Sequence, residues 1–159
     1  MKKHRYAAII FGILAVAWAG VLFFFSGQNG ADSGALSRRV ACMIVRWFPR
    51  LGGPADIEPM LRKIAHFSIF AVEGFLTGVS MICVLGYIRG MALSAGVCAL
   101  MAMANEYHQM FAAGRSCEVR DMLVDSAGAL LGIIVSAMAI ALCTWICKTK
   151  IEKTSRVYR

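Results

Sequence analysis

The sequence predicts an all-α membrane protein, a four-transmembrane-helix bundle with an interfacial amphipathic helix between helices 1 and 2. Three observations predict it. Apolar residues make up 59% of the 159 positions and charged residues only 16%, against roughly 45–50% and about 25% in soluble domains. Four apolar runs are each long enough to cross about 30 Å of hydrocarbon. Between the first two runs lies one long polar segment that carries a helical apolar period. A soluble globule is excluded by the mean hydropathy of +0.67. Disordered and collagen-like chains are excluded by three prolines and the long apolar runs. The chain, residues 1–159, reads as a single membrane domain.

The first span is Tyr6 to Phe25, twenty positions without charge or proline, which at 1.5 Å rise per residue fit the membrane core. Ala17, Trp18 and Ala19 would suit a signal-peptide cleavage site, but the apolar run continues past them to Phe25, longer than a signal requires. Residues 26–59 form the polar, extracytoplasmic segment. Within it Leu36, Val40, Met43, Ile44 and Trp47 recur at helical spacing over Ser37 to Phe48. That stretch is expected to lie in the interface plane, with Trp47 and Phe48 at headgroup depth. Three further spans follow at Ile64 to Ile88, Met91 to Phe111 and Met122 to Cys147, with breaks around Gly90 and Gly114. Gly74 and Gly78, and likewise Gly128 and Gly132, have the spacing that allows close helix approach, and predict tight packing of the second span on the fourth.

An even number of spans puts both termini on one side, and basic ends (Lys2, Lys3, Arg5; Lys148, Lys150, Lys153) with Arg89 favour the cytoplasm. The margin is narrow, nine basic residues against eight on the other side. A net charge of +8 beside apolar spans points to an anionic bilayer rather than to nucleic acid, for which no basic-aromatic face exists. Cys42 and Cys117 both fall on the outer side, where a disulfide between them is open. No C-x-x-C or other metal spacing occurs among the six cysteines.

Ionisable groups inside a span cost about 2.5–3.5 kcal/mol on insertion scales and normally face a bundle interior or cavity. On the second span Arg62, His66 and Glu73 share one face, with Glu73 about 16 Å along the axis from Arg62. Asn105, Glu106, His108 and Gln109 crowd the end of the third span, and Asp121 and Asp125 open the fourth. The alternation of spans brings all three groups into the outer half. Each has a plain reading as well: Asp121 and Asp125 complement a helix dipole, His66 is a satisfied core histidine, and Glu73 is either a hydrogen-bonded neutral acid or a proton-carrying group. Arg62 and Lys63 near a helix N-terminus call for an anion close by. With no fixed ligand spacing, neither metal nor cofactor is expected.

At these residues the sequence resembles the VanZ-like family. The resemblance rests on Phe23 to Gln28 with Ser33, Ala35, Leu36 and Ser37; on Arg62, Lys63, His66, Phe67 and Glu73; on Asn105, Glu106, His108, Gln109, Phe111, Gly114 and Arg115; and on Asp121, Asp125, Gly128 and Gly132. It implies a small bacterial integral membrane protein of the cell envelope, in the cytoplasmic membrane, related to a protein associated with low-level teicoplanin resistance. The family pattern usually has Asp where Asn105 stands and Asn where Asp125 stands. If these two positions face each other, the exchange keeps one carboxylate and one amide in the same pocket.

Four functions follow as expectations. The first is recognition of an anionic amphiphile at the outer leaflet, a lipid headgroup or a lipid-linked cell-wall precursor. Arg62, Lys63 and Arg115 would supply positive charge, Glu73, Glu106, Asp121 and Asp125 would hold them, and His66, His108, Asn105 and Gln109 would hydrogen-bond. The second is an intramembrane hydrolase or transferase acting on a lipid phosphate or glycolipid, with His66 or His108 as base or nucleophile and Glu106 or Asp121 as its orienting partner. The third is transport through a Glu73 proton site, for which four helices leave little room unless the chain forms a homo-oligomer. The fourth is a bundle whose polar groups only hold its helices together.

Overall fold

In the computed structural model, residues 2–28, 30–114 and 117–157 are described, with side chains over 5–28, 34–114 and 117–150. Five α-helices follow in order: α1 (Lys2–Ser26), α2 (Gly30–Trp47), α3 (Pro54–Leu85), α4 (Tyr87–Gln109) and α5 (Val119–Val157), with a 3₁₀ turn at Pro49–Leu51. α1, α3, α4 and α5 are long and apolar enough to cross a membrane. The predicted class and number of spans are therefore those of the structure.

α3 is the central helix and packs against α1, α2, α4 and α5. α1 runs antiparallel to it: Trp18 donates its indole N–H to the Ile69 carbonyl at 3.0 Å and Ser80 its hydroxyl to the Ala8 carbonyl at 2.9 Å. Phe11 meets Phe75 edge-on, with centroids 6.2 Å apart. α5 runs parallel to α3, and their contact is the most extensive in the molecule. It depends on small residues: Gly128 lies on the Phe67 carbonyl, Gly74 on the Ala129 carbonyl, Gly132 on the Ala71 carbonyl, and Gly78 on Ser136. A Cβ on any of these four glycines would collide with the facing helix. This is the tight packing that the glycine spacing predicts. A small apolar core of Leu22, Phe70, Cys98, Ala102 and Ala129 fills the centre. Large apolar side chains such as Ile13, Val16, Leu130 and Met138 face outward, as surfaces in contact with acyl chains do.

The boundaries correct the sequence reading in several places. The second span does not begin at Ile64. α3 starts at Pro54, so ten residues assigned to the polar segment and its flank are helical. Pro54 at the first helical position suits the fixed φ of proline, and the Asp56 carboxylate accepts the Gly53 N–H at 2.8 Å. Pro59 sits inside the helix; it removes only the bond to the carbonyl of exposed Ala55, which water can satisfy. At 32 residues α3 is about 48 Å long, so its first turns stand beyond the hydrocarbon. The second correction is the turn between α3 and α4, which is at Gly86 with φ +80° rather than at Gly90. Gly90 is buried inside α4, where a Cβ would strike the Ile82 backbone at 2.6 Å. The third span ends at Gln109 rather than Phe111, and the fourth begins at Val119 rather than Met122.

α2 lies against the first turns of α3. Ala41 is fully buried there, and the Arg38 Nε donates to Glu58 Oε2 at 3.3 Å. Leu36, Val40, Met43 and Trp47 form an exposed apolar stripe along it. Successive offsets of four, three and four place them on one face, as an interfacial helix requires. The helix is longer than the stretch 37–48, because it begins at Gly30. Cys42 and Cys117 are both exposed, and neither is bonded.

Candidate functional site

The antiparallel and parallel packing just described brings three stretches together: the fourth turn of α3, the last turns of α4 and the first turns of α5. At their meeting point Asp125 receives two contacts. Its Oδ1 lies 3.2 Å from His66 Nδ1, and its Oδ2 accepts the Asn105 amide N–H at 3.4 Å. Glu106 stands beside them, with its Oε2 accepting the backbone N–H of Glu118 at 3.1 Å. Glu106 and Asp125 are 0% exposed and Asn105 1%. The expected facing of Asn105 and Asp125 is thus realised: one amide and one carboxylate occupy the shared pocket. The carboxylate that meets His66 is Asp125, not Glu106 or Asp121.

Several buried polar atoms at this end have no partner among the described residues: Asn105 Oδ1, Glu106 Oε1, Gln109 Nε2, Asp121 Oδ1 and, at the end of α1, Ser26 Oγ. Each orphaned group in an interior costs about 1–3 kcal/mol, so the five at this end call for partners that the described residues do not supply.

Two cavities open beside the cluster. One, about 260 Å³, is walled mainly by apolar groups of α1, α2 and α3, among them Leu22, Phe25, Leu36, Ile69 and Phe70, and ends at Arg62, His66 and Asn105. The other, about 280 Å³, is polar and is lined by Arg62, Lys63, His66, Gln109, Glu118 and Asp121. Arg62 and His66 border both. No arginine or lysine nitrogen among the described residues lies within 4.0 Å of a Glu106, Asp121 or Asp125 oxygen. The guanidinium of Arg62 is therefore not consumed by the cluster.

Two predicted members stand elsewhere. Glu73 is buried but bonds only downward along its own helix, accepting the Thr77 hydroxyl at 2.9 Å, and it lines neither cavity. The expectation that it shares the pocket of Glu106 and Asp125 is corrected: a seven-residue step from His66 places it about 10 Å deeper. His108 is exposed and rests edge-on against Phe23, centroids 5.8 Å apart, on the opposite flank of α4 from Glu106. Arg115 lies outside the described residues. The dipole argument changes too. α3 begins eight residues before Arg62, so its N-terminus does not face the site, whereas Asp121 is in the first turn of α5 and does complement a helix start.

Ser26, Leu36 and Ala65 of the apolar cavity carry no chemical signature, and only the placement of α2 over α3 reveals them. Thr77, the partner of Glu73, was legible in principle from its i+4 spacing. A family model described as VanZ/LLP1 matches residues 11–142. No curated protein and no solved structure matches the chain.

Proposed function

The chain belongs to the VanZ/LLP1 family, and from that premise we propose that it is a cell-envelope membrane protein whose paired cavities recognise an anionic amphiphile. The observation that carries this reading is the position of Arg62 and His66, which border both an apolar cavity of about 260 Å³ and a polar one of about 280 Å³. An acyl or prenyl chain entering from the lipid would occupy the first, and its phosphate or carboxylate would meet Arg62 and Lys63 at the mouth of the second. Arginine favours this task because its planar fork matches phosphate and carboxylate oxygens. Asn105, Gln109, Asp121 and Asp125 would hold the polar wall. With both termini in the cytoplasm, the pocket opens to the outer leaflet of the cytoplasmic membrane. A protein there could alter teicoplanin sensitivity by changing the display of a lipid-linked cell-wall precursor, without modifying the drug.

Binding to the full-length protein in neutral detergent tests the reading, with a fluorescent polyprenyl phosphate and phosphatidylglycerol as probes and phosphatidylcholine as control. Arg62→Ala is expected to weaken the anionic probes about tenfold or more, since charge-assisted bonds contribute about 1.5–3 kcal/mol, and to leave phosphatidylcholine unchanged. Equal affinity of wild type and variant for all three lipids would refute it.

The His66–Asp125 contact at 3.2 Å favours one second reading, a hydrolase or transferase for a lipid phosphate or glycolipid with His66 as general base and Asp125 as its orienting group. Release of phosphate or a changed headgroup on incubation, abolished by His66→Ala while binding persists, separates it from recognition alone. His108, on the far flank, is not part of this pair.

A further inference from the structure

We propose that His66, Glu106 and Asp125 form a binding site for one divalent transition-metal ion. One ligand atom from each lies within 4.8 Å of the others. The His66 Nδ1 to Asp125 Oδ1 separation is 3.2 Å, close to the edge of a tetrahedron whose metal–ligand bonds are about 2.0–2.2 Å long. A Glu106 oxygen lies within 4.8 Å of both, and drawing its side chain inward completes the same figure.

Outer-shell contacts point the same way. Each carboxylate has one oxygen tied from behind: Glu106 Oε2 by the Glu118 N–H, and Asp125 Oδ2 by the Asn105 amide. Such supports fix the orientation of ligands in metal sites. The remaining Glu106 oxygen, Oε1, is buried with no partner, and so are Asn105 Oδ1 and Asp121 Oδ1. An orphaned acceptor in a nine-tenths-buried side chain is satisfied by a cation as well as by a proton donor. Charge adds a third argument. Two fully buried carboxylates stand beside one imidazole with no lysine or arginine nitrogen within 4.0 Å among the described residues, and a divalent ion would hold both in their ionised form.

One imidazole and two carboxylates suit zinc, manganese or iron(II). The set has too few oxygens for calcium, and no thiolate takes part. His66 and Asp121 also line the polar cavity, which gives the ion an entry path and leaves coordination positions for water. No sequence spacing announces the site, because its three ligands come from three different helices. The proposal does not depend on what the cavities bind, since the ion is held by protein groups alone.

Full-length protein purified in detergent without a histidine tag, stripped with chelator and re-equilibrated with Zn²⁺, Mn²⁺ or Co²⁺, provides the test. About one ion per chain is expected by elemental analysis, with a tenfold or greater loss of affinity in His66→Gln and Asp125→Asn and no change in His108→Gln. The cobalt form should show ligand-field bands without a thiolate charge-transfer band. That spectrum and the wild-type stoichiometry decide the matter even if a ligand variant fails to fold. Substoichiometric metal in the wild type, a thiolate band, or undiminished affinity in folded His66→Gln and Asp125→Asn proteins would each overturn the proposal.

Discussion

Asp125 concentrates the chemistry of the polar end in one side chain. Completely buried, it faces an imidazole with one oxygen and an amide with the other, so its two neighbours respond to any change in its charge. Asn105→Asp alone would set a third carboxylate against Asp125 and Glu106 in a space where, among the described residues, His66 is the one basic side chain within 4.0 Å of them, and like charges so placed repel strongly. Asp125→Asn alone would remove the acceptor of His66. The double exchange restores one amide and one carboxylate with their places traded. Each single substitution is expected to lower thermal stability in detergent by about 1–3 kcal/mol, and the pair to cost less than the sum, with a coupling of about 0.5–3 kcal/mol in a double-mutant cycle. Additive losses would mean that the two side chains do not share a pocket in the protein. The residue types of the cluster were legible in the sequence, because ionisable groups stand out against apolar spans. Which of them meet was not, because 3.6-residue periodicity fixes the face of a residue but not the rotation of its helix about its own axis. His108 differs for that reason, on the far flank of its helix, whereas Glu73 stays on the shared face but about 10 Å deeper, a separation its seven-residue step from His66 already carries.

At the scale of elements, the α3–α5 seam explains how a charged cluster can be held in register without a large apolar core. Gly74 and Gly78 on α3 and Gly128 and Gly132 on α5 let the backbones approach so closely that no side chain fits between them, and in lipid such van der Waals contact replaces the missing hydrophobic driving force. Gly132→Ala puts a methyl group onto the Ala71 carbonyl and is expected to destabilise the bundle by about 1–3 kcal/mol, as overpacking does. Gly96→Ala meets nothing within 4 Å and should be neutral or stabilise α4 by up to about 1 kcal/mol. Melting curves of the two variants in the same detergent check the contrast; a Gly132 variant as stable as wild type would show that the seam can open without loss. The four spans and the α2 stripe were readable because apolar runs and 3.6-residue periods are properties of composition. The start of α3 was not, because Pro59 and four charged residues at 56–63 look like a loop when the support from α2, through Arg38 and Glu58, is out of view. The turn was misplaced for a different reason: Gly86 and Gly90 are alike in sequence, and only the backbone distinguishes the one with φ +80° from the one pressed against a neighbour.

At the scale of the whole molecule, polarity is distributed unequally between the two ends. The cluster, both cavities and the basic face of α2 with Arg38, Arg39 and Arg46 gather where α3 and α5 begin, whereas α3 ends on apolar residues and α5 ends in a stretch that carries Lys148, Lys150, Lys153 and Arg156. Counting basic residues hardly orients such a chain, at nine to eight, because several of the arginines on the polar side belong to α2 and the site rather than to connecting loops. Two exposed native cysteines resolve the question, since Cys42 on α2 and Cys117 just before α5 are both accessible and both at the polar end. In intact spheroplasts a membrane-impermeant maleimide is expected to label them, while a cysteine placed at Ser155, with Cys143 and Cys147 replaced by serine, should react only after lysis. The inverse pattern would put the cavities on the cytoplasmic leaflet and exclude any amphiphile confined to the outer one. It would leave the internal geometry of His66, Glu106 and Asp125 untouched, because the helix packing that assembles them is indifferent to which face of the membrane it meets.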